Sequence, residues 1–210
     1  MKIYILRHEE RPENPGFLTE LTEFGKHKAM FSLKNTLKNI SFTHVFSSPF
    51  LRVLQTIAPY VENNHYVNIE YGLAEGLHDP VFTSEDDFSV KETPCHLSNY
   101  ESVVDINNYK YYENDDVIQS RVRLFYDDLI KNHKNENHVI LLACHKCICN
   151  VLLGIMTDSL RDMDDPYDIH SRGFFDHSAV IAEVALSRKS IGTLIIPEWH
   201  VLWTLATAAG

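Results

Sequence analysis

Two histidines in this sequence come at the end of short apolar runs, and their side chains are well placed for chemistry. His8 follows residues 2–6 with Arg7 beside it, and His145 closely follows residues 139–143. Runs of this kind are typical of buried strands, and α/β proteins keep functional groups at the carboxyl ends of such strands. A neutral histidine can act as a nucleophile, and an arginine binds phosphate oxygens. The pattern predicts an anion site with His8 as nucleophile and Arg7 as phosphate ligand.

A third candidate, Arg52, lies near the start of a predicted helix. Residues 47–49 read Ser-Ser-Pro, and they predict a serine N-cap followed by proline at the first helical position. Arg52 and Gln55 fall outside the predicted apolar stripe, so we expect both to leave the buried face. Arg52 would then stand near the positive end of the helix dipole, where an anion is favoured. The stripe itself consists of Phe50, Leu54, Ile57 and Val61.

Besides residues 2–6, five further segments are predicted to form strands. Residues 43–46 and 67–70 are short strand candidates, and residues 139–143 are apolar throughout. A strand without polar positions is expected to be central and covered on both faces. Residues 178–184 and 191–196 flank a polar turn and predict an antiparallel pair at the edge of the sheet.

Helices are predicted between the strands. Thr22 is a capping residue for a helix over residues 22–38, and residues 114–116 begin an acidic cap for a helix that ends near residue 133. A further apolar helix is expected to end at Met156, before an acidic loop over residues 158–176. The apolar stripes are Met30, Leu33 and Leu37 in the first helix and Ile118, Val122, Phe125 and Leu129 in the second.

The composition predicts one domain without a membrane or nucleic-acid partner. The chain has 210 residues, of which 44% are hydrophobic, and this is sufficient for a core. The 29 acidic and 19 basic residues give a net charge of −10, which disfavours binding to nucleic acid or anionic membranes. The sequence contains neither a long apolar run nor a signal peptide pattern, so we expect a cytoplasmic protein. Its four cysteines are expected to be reduced thiols.

One segment lacks any sustained pattern. Residues 78–116 contain ten acidic residues and two basic ones, Lys91 and Lys110, together with two prolines. Long irregular segments inside compact domains are usually functional. We therefore predict an insertion over residues 78–113 that acts as an acidic lid over the site.

Three motifs in the sequence resemble those of the histidine phosphatase superfamily, the phosphoglycerate mutase-like phosphatases. They are Arg7-His8 with Glu10 and Asn14, Leu21-Thr22-x-x-Gly25-x-x-x-Ala29, and Ser47-Ser48-Pro49-x-x-Arg52-x-x-Gln55-Thr56. Residues 141–145 also resemble the segment of this family that carries its second histidine. The resemblance implies a three-layer α/β sandwich around a mostly parallel sheet.

The same resemblance implies a phosphohistidine mechanism. His8 would attack phosphorus, and Arg7, Arg52 and a protonated His145 would hold the phosphate oxygens. Glu75 would be the proton donor, since the family often keeps its acid in a segment like Leu-x-Glu after the third strand. Glu9, Glu10 and Asp79 remain alternative acids. Arg11 and Asn14 are implied as further substrate contacts, and neither a metal nor another cofactor is required.

Departures from the motifs leave other functions open. Glu9, Lys28 and Lys146 replace a glycine, a glutamine and a second glycine of the family pattern. These changes suit a weakly active pseudo-phosphatase that binds a phosphorylated partner. A cofactor-dependent phosphoglycerate mutase is a second alternative, although members of that class carry an Arg-Arg pair in the insertion.

The cysteines and the substrate complete the expectations. Cys144, Cys147 and Cys149 are close in sequence, but no second ligand pair with zinc spacing accompanies them. The expected partner is a small phosphomonoester or a phosphorylated protein, and the oligomeric state is left open.

Overall fold

In a computed structural model, a single sheet of seven strands runs through the chain. The structure describes residues 1–61, 65–78, 81–91 and 93–156, and the backbone of three strands beyond them. The strands are β1 (Lys2–Arg7), β2 (His44–Ser47), β3 (Val67–Ile69), β4 (Val139–Cys144), β5 (Ile181–Ala185), β6 (Ile191–Ile195) and β7 (Trp203–Ala206).

The order of the strands places the two histidines side by side. The sheet runs β3-β2-β4-β1-β5-β6-β7, and its first four strands are parallel. β1 and β4 pair along their whole length, from Lys2 opposite Val139 to Arg7 opposite Cys144. The pairing continues one step further, because the His8 backbone N–H donates to the Cys144 carbonyl at 3.1 Å. The prediction that residues 139–143 form a central strand is confirmed.

Along the chain, helices alternate with the parallel strands, as predicted. Asn114 caps α4 through its side chain, which accepts from the Val117 backbone N–H, and Thr22 caps α1 in the same way. Two single 3₁₀ turns cover Tyr71–Leu73 and Ile106–Asn108. The helices are α1 (Glu23–Lys28), α2 (Lys34–Leu37), α3 (Leu51–Val61), α4 (Asp115–Asn132) and α5 (Lys146–Met156), with a π-helical turn (Ala29–Leu33) joining α1 to α2.

Two apolar cores separate three layers. On β1 the side chains alternate, with Tyr4 and Leu6 in the core beneath α2 and α3, and Ile3 and Ile5 in the core beneath α4 and α5. This alternation follows from the two-residue period of a strand. The three-layer α/β architecture with a mostly parallel central sheet is confirmed.

The local structure corrects two predictions about helices. Met30 is 45% exposed, and Ala29 takes its place in the buried stripe. The π-helical turn explains this shift, because its wider turn changes which residues share a face with Leu33. The third helix begins at Leu51 rather than at the proline, and the Ser48 hydroxyl accepts only a long bond of 3.4 Å, from the Phe50 backbone N–H that precedes the helix. The Phe50 carbonyl accepts the first bonds of that helix.

The antiparallel part of the sheet is larger than predicted. β5 and β6 form the expected antiparallel pair, but β5 also pairs with β1 and β6 with β7. The predicted pair is therefore interior, and the expectation that it forms the sheet edge is wrong. The local pattern of the pair does not indicate which strands lie beside it, and residues 203–206 carry no pattern typical of a strand. The predicted loop at 158–176 lies outside the described residues.

The acidic segment is anchored by its apolar residues. Phe82, Phe88, Cys95, Val104 and Tyr109 are buried in the core beneath α3. Acidic residues 85–87 of the same segment are exposed. The segment thus packs as part of the domain, and its action as a lid stays a prediction, as does the single-domain organisation of the whole chain. Among the helices described, none combines the length and apolarity needed to cross a membrane.

Candidate active site

His8 is held as a neutral imidazole with one nitrogen available for attack. Its Nδ1 lies 2.6 Å from the Glu9 carbonyl oxygen, which can only accept, so Nδ1 carries the proton. The Nε2 atom therefore keeps its lone pair. The ring is buried, and this burial, together with the charge of Arg52, holds the pKa of His8 well below its usual value. At neutral pH His8 has the protonation state that a nucleophile requires.

His145 faces His8 across the site, with 5.3 Å between the two ring centroids. Its Nδ1 lies 3.1 Å from a Glu75 carboxylate oxygen, and its Nε2 lies 2.8 Å from the Ser48 hydroxyl. A carboxylate only accepts, so Nδ1 carries the proton and Nε2 accepts from Ser48.

The free site keeps His145 neutral. Burial lowers the pKa of His145 to about 4, since the attraction of Glu75 does not offset burial and the nearby Arg52 charge. The implied protonated form is therefore not the state of the free site at neutral pH. A bound phosphate dianion would favour the imidazolium, because a nearby negative charge stabilises it.

Arg52 is completely buried, although it lies off the apolar stripe. The expectation that it leaves the buried face is wrong, because the site itself encloses this side of α3. One terminal nitrogen donates to the Gly16 carbonyl at 2.9 Å, and the other lies 3.3 Å from Glu75. The guanidinium also stacks over the Phe50 ring at 4.6 Å. Its Nε is buried without a hydrogen-bond partner, so Arg52 retains capacity to bind an anion.

Glu75 lies between Arg52 and His145 and contacts both. It lies in the loop after Tyr71–Leu73, and its side chain is 21% exposed. Burial opposes ionisation of this carboxyl, but His145 and Arg52 more than offset it and hold the pKa of Glu75 well below its usual value. The second carboxylate oxygen accepts from the Cys147 thiol at 2.8 Å. Glu75 is thus an ionised carboxylate in the free site.

A buried arginine fixes the loop that carries Glu75. Arg121 on α4 donates to the Glu113 carboxylate at 2.7 and 3.1 Å. It also donates to four backbone carbonyls at 2.9–3.1 Å, including that of Glu75. The Tyr109 hydroxyl donates to the same Glu75 carbonyl at 2.6 Å. Glu75 is therefore held from behind by groups that do not face the site.

A cavity of about 150 Å³ opens beside Arg52 and Glu75. The predicted substrate contact Arg11 lines it, whereas Asn14 is exposed, does not line it and has a left-handed backbone with φ 49°. Arg7 is buried at the end of β1, and its charge adds to the lowering of the His8 pKa. The lining residues are Arg11, Pro15, Arg52, Glu75, Gly76, His78, Phe82, Lys146 and Cys147.

The alternative acids differ in their surroundings. Glu10 accepts from the Thr22 hydroxyl at 2.8 Å near the start of α1. Glu9 is buried, its backbone N–H donates to the Thr56 hydroxyl at 3.0 Å, and its carbonyl orients His8. Asp79 lies outside the described residues. Among the carboxylates that the structure describes here, Glu75 is the one that lines the cavity and contacts His145.

Sequence reasoning missed three residues of the site. The sequence predicts Ser48 only as a helix cap and Cys147 only as a reduced thiol, and it does not single out Arg121. Arg121 did leave a signal, because it lies beside the apolar stripe of a predicted helix, where a charged residue needs a buried partner. The contacts of Ser48 and Cys147 depend on tertiary structure alone.

His8, Glu75 and His145 also offer ligand atoms within 4.8 Å of one another. Such a trio could hold a metal ion, but its geometry is equally that of a nucleophile, a carboxylate and a second histidine around a phosphate. The arrangement, on a three-layer α/β fold, has the groups that phosphoryl transfer requires.

Comparison with known proteins shows the family of this chain. The model of the histidine phosphatase superfamily (branch 1) matches residues 3–170, so the chain belongs to that family. A probable phosphatase from Schizosaccharomyces pombe, C1687.21, is 26% identical over 206 residues, which cover 94% of this chain and 88% of that protein. The comparisons confirm the predicted class of enzyme, a histidine phosphatase.

Solved structures share the fold. The ecdysone phosphate phosphatase of Bombix mori, in complex with tungstate, has a TM-score of 0.68 and 17% identity, covering 100% of this chain and 96% of that chain. A mutant phosphoserine phosphatase from Entamoeba histolytica, in complex with phosphoserine, has a TM-score of 0.58 and 17% identity, covering 93% and 95%. At this identity the likeness concerns the fold.

Proposed function

We propose that the protein hydrolyses a small phosphomonoester through a phosphohistidine intermediate on His8. The observation that carries this proposal is the Nδ1 contact of His8 with the Glu9 carbonyl, which leaves Nε2 unprotonated. Burial and the nearby positive charge keep the imidazole neutral. Together they prepare His8 for attack without a separate base.

In the first step, Nε2 of His8 forms a bond to phosphorus while the bond to the leaving oxygen breaks. Arg52 and Arg7 bring positive charge to the phosphate. The phosphate dianion beside His145 stabilises the protonated form of its imidazole. Phosphoryl transfer depends mainly on such positioning and charge stabilisation. The unpartnered Nε of Arg52 supplies an additional donor for this task.

The leaving oxygen must receive a proton, and Glu75 is the proposed donor. Glu75 is ionised in the free site, but a dianion bound beside it would raise the pKa of its carboxyl. The carboxyl could then take up a proton with the substrate and pass it to the leaving group. In the second step the ionised carboxylate would accept a proton from the water that attacks phosphohistidine. Its low pKa in the free site suits this second role.

The cavity favours a small substrate. Its volume is about 150 Å³, and Arg11 and Lys146 bring positive charge while Phe82 and Pro15 bring apolar surface. The named phosphatases with this fold include enzymes for ecdysone phosphate and phosphoserine, both small molecules. A small phosphomonoester is therefore favoured over a phosphorylated protein as substrate. Asn14 is exposed and is not among the residues that line this cavity, so its contact with the substrate stays a prediction.

The mutase alternative has less support from the site. A mutase must retain a bisphosphate, yet among the described residues of the acidic segment only His78 and Phe82 line the cavity. Lys91 is 62% exposed and pairs with Asp87 at 2.8 Å, so its charge is directed elsewhere. Interconversion of 3- and 2-phosphoglycerate by the purified protein would favour the mutase instead.

The pseudo-phosphatase alternative rests on Glu9, Lys28 and Lys146, of which Glu9 directly follows His8. An ionised Glu9 carboxylate close to the phosphate would weaken anion binding. Its backbone nevertheless has a constructive role, since it orients His8 and bonds Thr56. A binding protein would have no need for a neutral, oriented imidazole.

The test is a comparison of His8→Ala with the wild-type protein on a panel of phosphomonoesters. We expect kcat/KM to fall by about 10³-fold or more, because loss of a nucleophile removes the covalent route. His27→Ala is the matched control, since His27 is an exposed histidine on α1. Full activity of His8→Ala would refute the proposal, and an inactive wild-type protein that binds the same esters would favour the pseudo-phosphatase.

A further inference from the structure

Three histidines form a cluster at the edge of the sheet opposite the active site. His44 begins β2, His138 immediately precedes β4, and His133 follows the last residue of α4. His138 and His145 lie at opposite ends of β4, so the cluster is about 20 Å from the active-site histidine along that strand. Its chemistry is therefore separate from that of the phosphatase site.

The three imidazoles face one another closely. The ring centroids are 4.4 Å apart for His44 and His133, 5.0 Å for His44 and His138, and 5.3 Å for His133 and His138. One ligand nitrogen from each ring lies within 4.8 Å of the other two. In a tetrahedral zinc site with Zn–N bonds of about 2.0–2.1 Å, neighbouring nitrogens are about 3.3 Å apart. Small rotations of the side chains would close this difference.

The hydrogen bonds of the cluster leave ring nitrogens available to a ligand. The Nδ1 atoms of His133 and His138 are buried and have no hydrogen-bond partner. Buried polar atoms are nearly always paired, and an exception calls for a ligand or another explanation. His44 differs, because its Nδ1 bonds the Thr43 hydroxyl at 2.9 Å and leaves its Nε2 for a ligand. Metal-binding histidines are commonly held through their other nitrogen in this way.

We propose that His44, His133 and His138 form a binding site for a divalent transition metal such as Zn²⁺. Neutral imidazoles are favoured ligands of this ion, and three of them leave a fourth position for water. The rings are only partly buried, so an ion can enter from solvent. The carboxylate of Asp128, in the last turns of α4, adds negative charge near the cluster.

A bound ion would connect three parts of the fold. It would join the start of β2, the end of α4 and the loop that leads into β4. An ion that binds the folded state and not the unfolded state stabilises the protein by mass action. The proposed role is therefore structural, and it does not depend on the proposed phosphatase mechanism.

The test uses Co²⁺ as a spectroscopic probe and Zn²⁺ in calorimetry. Binding is measured for the full chain and for His44→Ala, His133→Ala and His138→Ala. We expect each variant to bind Zn²⁺ at least about 100-fold more weakly, because loss of a direct ligand exceeds the 10–100-fold cost of losing an outer contact. His27→Ala is the matched control and should bind as the wild type does.

The active-site trio could also bind these ions, so the assignment needs a second control. His8→Ala should retain the visible Co²⁺ spectrum of the proposed site, and the cluster variants should lose it. Zn²⁺ should raise the melting temperature of the wild type and of His8→Ala, and leave that of the cluster variants unchanged. Far-UV circular dichroism in EDTA checks that the variants fold. Unchanged Zn²⁺ affinity in folded cluster variants, or binding lost only in His8→Ala, would overturn the proposal.

Discussion

Two buried arginines each pair with a glutamate close to the same loop, and the two pairs differ in how many of their hydrogen-bonding groups have partners. Arg121 contacts Glu113 through two nitrogens, and its remaining donors all reach backbone carbonyls. Arg52 contacts Glu75 at 3.3 Å through one nitrogen, and its Nε has no partner. Glu113 is almost completely buried, whereas Glu75 lines the cavity.

The difference separates a charge used for structure from one available for a ligand. A fully paired buried arginine has no donor to offer, so its contribution is to hold the chain in place. An arginine with spare donors beside a cavity is expensive to keep in the free protein, and an anion would complete its contacts. Substitutions at the two pairs should therefore affect different quantities.

The largest expected effect is the loss of stability in Arg121→Ala. Removing this partner leaves Glu113 as an uncompensated buried charge, which costs about 3–5 kcal/mol of the free energy of unfolding. Denaturant unfolding measures the change. Arg123→Ala is the matched control, because Arg123 is exposed on the same helix and should change stability little. Equal effects of the two variants would show that the Arg121 network does not support the loop.

Arg52→Ala should instead damage the chemistry. We expect a loss of about 2–4 kcal/mol of transition-state stabilisation, measured from kcat/KM, since Arg52 would hold the phosphate oxygens. Arg52→Lys keeps a charge but loses the planar fork, so it should recover only part of the activity. A rise in KM with unchanged kcat would show that Arg52 contributes uniform binding only.

Glu75→Gln should produce a loss that depends on the leaving group. A poor leaving group needs a proton, so kcat/KM should fall by about 10²-fold for alkyl phosphates and less for nitrophenyl phosphate. Glu10→Gln is the matched control, since Glu10 bonds Thr22 away from the cavity. The same loss for all leaving groups would contradict the proposed role as proton donor.

The pH dependence of stability should come in part from the two buried histidines of the site. Burial keeps His8 and His145 neutral in the folded state, so the unfolded state binds more protons below pH 6.5. Stability should fall by about 1 kcal/mol for each histidine as the pH drops from 6.5 to about 5.5. Unfolding is measured at both pH values for the wild type and for His145→Gln. The fall in stability should be about 1 kcal/mol smaller in the variant, because it keeps only one of the two histidines. An equal loss in the wild type and the variant would contradict the assignment.

Much of the fold could be predicted because periodicity reports burial directly. The apolar run at residues 139–143 predicts a central strand, and the apolar stripe of α4 predicts a helix packed on the sheet. Met30 was assigned wrongly because a π-helical turn changes the period locally. The sequence of β7 does not predict a strand, because this segment is extended through its pairing with β6, and a local pattern does not report that pairing.

The site was predictable where spacing fixes position. His8 and His145 follow paired parallel strands, so their neighbourhood follows from the sheet. The burial of Arg52 and its contact with Glu75 could not be predicted, because a period indicates the apolar face and does not indicate what covers the other faces. The partners of Arg121 lie 8 to 50 residues away in sequence, and local patterns carry no information at that range.

The most direct test of the central claim is to trap phosphate on His8. The wild-type protein and His8→Ala are mixed with a radiolabelled phosphomonoester, quenched in alkali and digested. We expect acid-labile label on the peptide that contains His8 in the wild type and none in the variant. Product formation by the wild type without such label, or equal label in His8→Ala, would contradict the phosphohistidine mechanism.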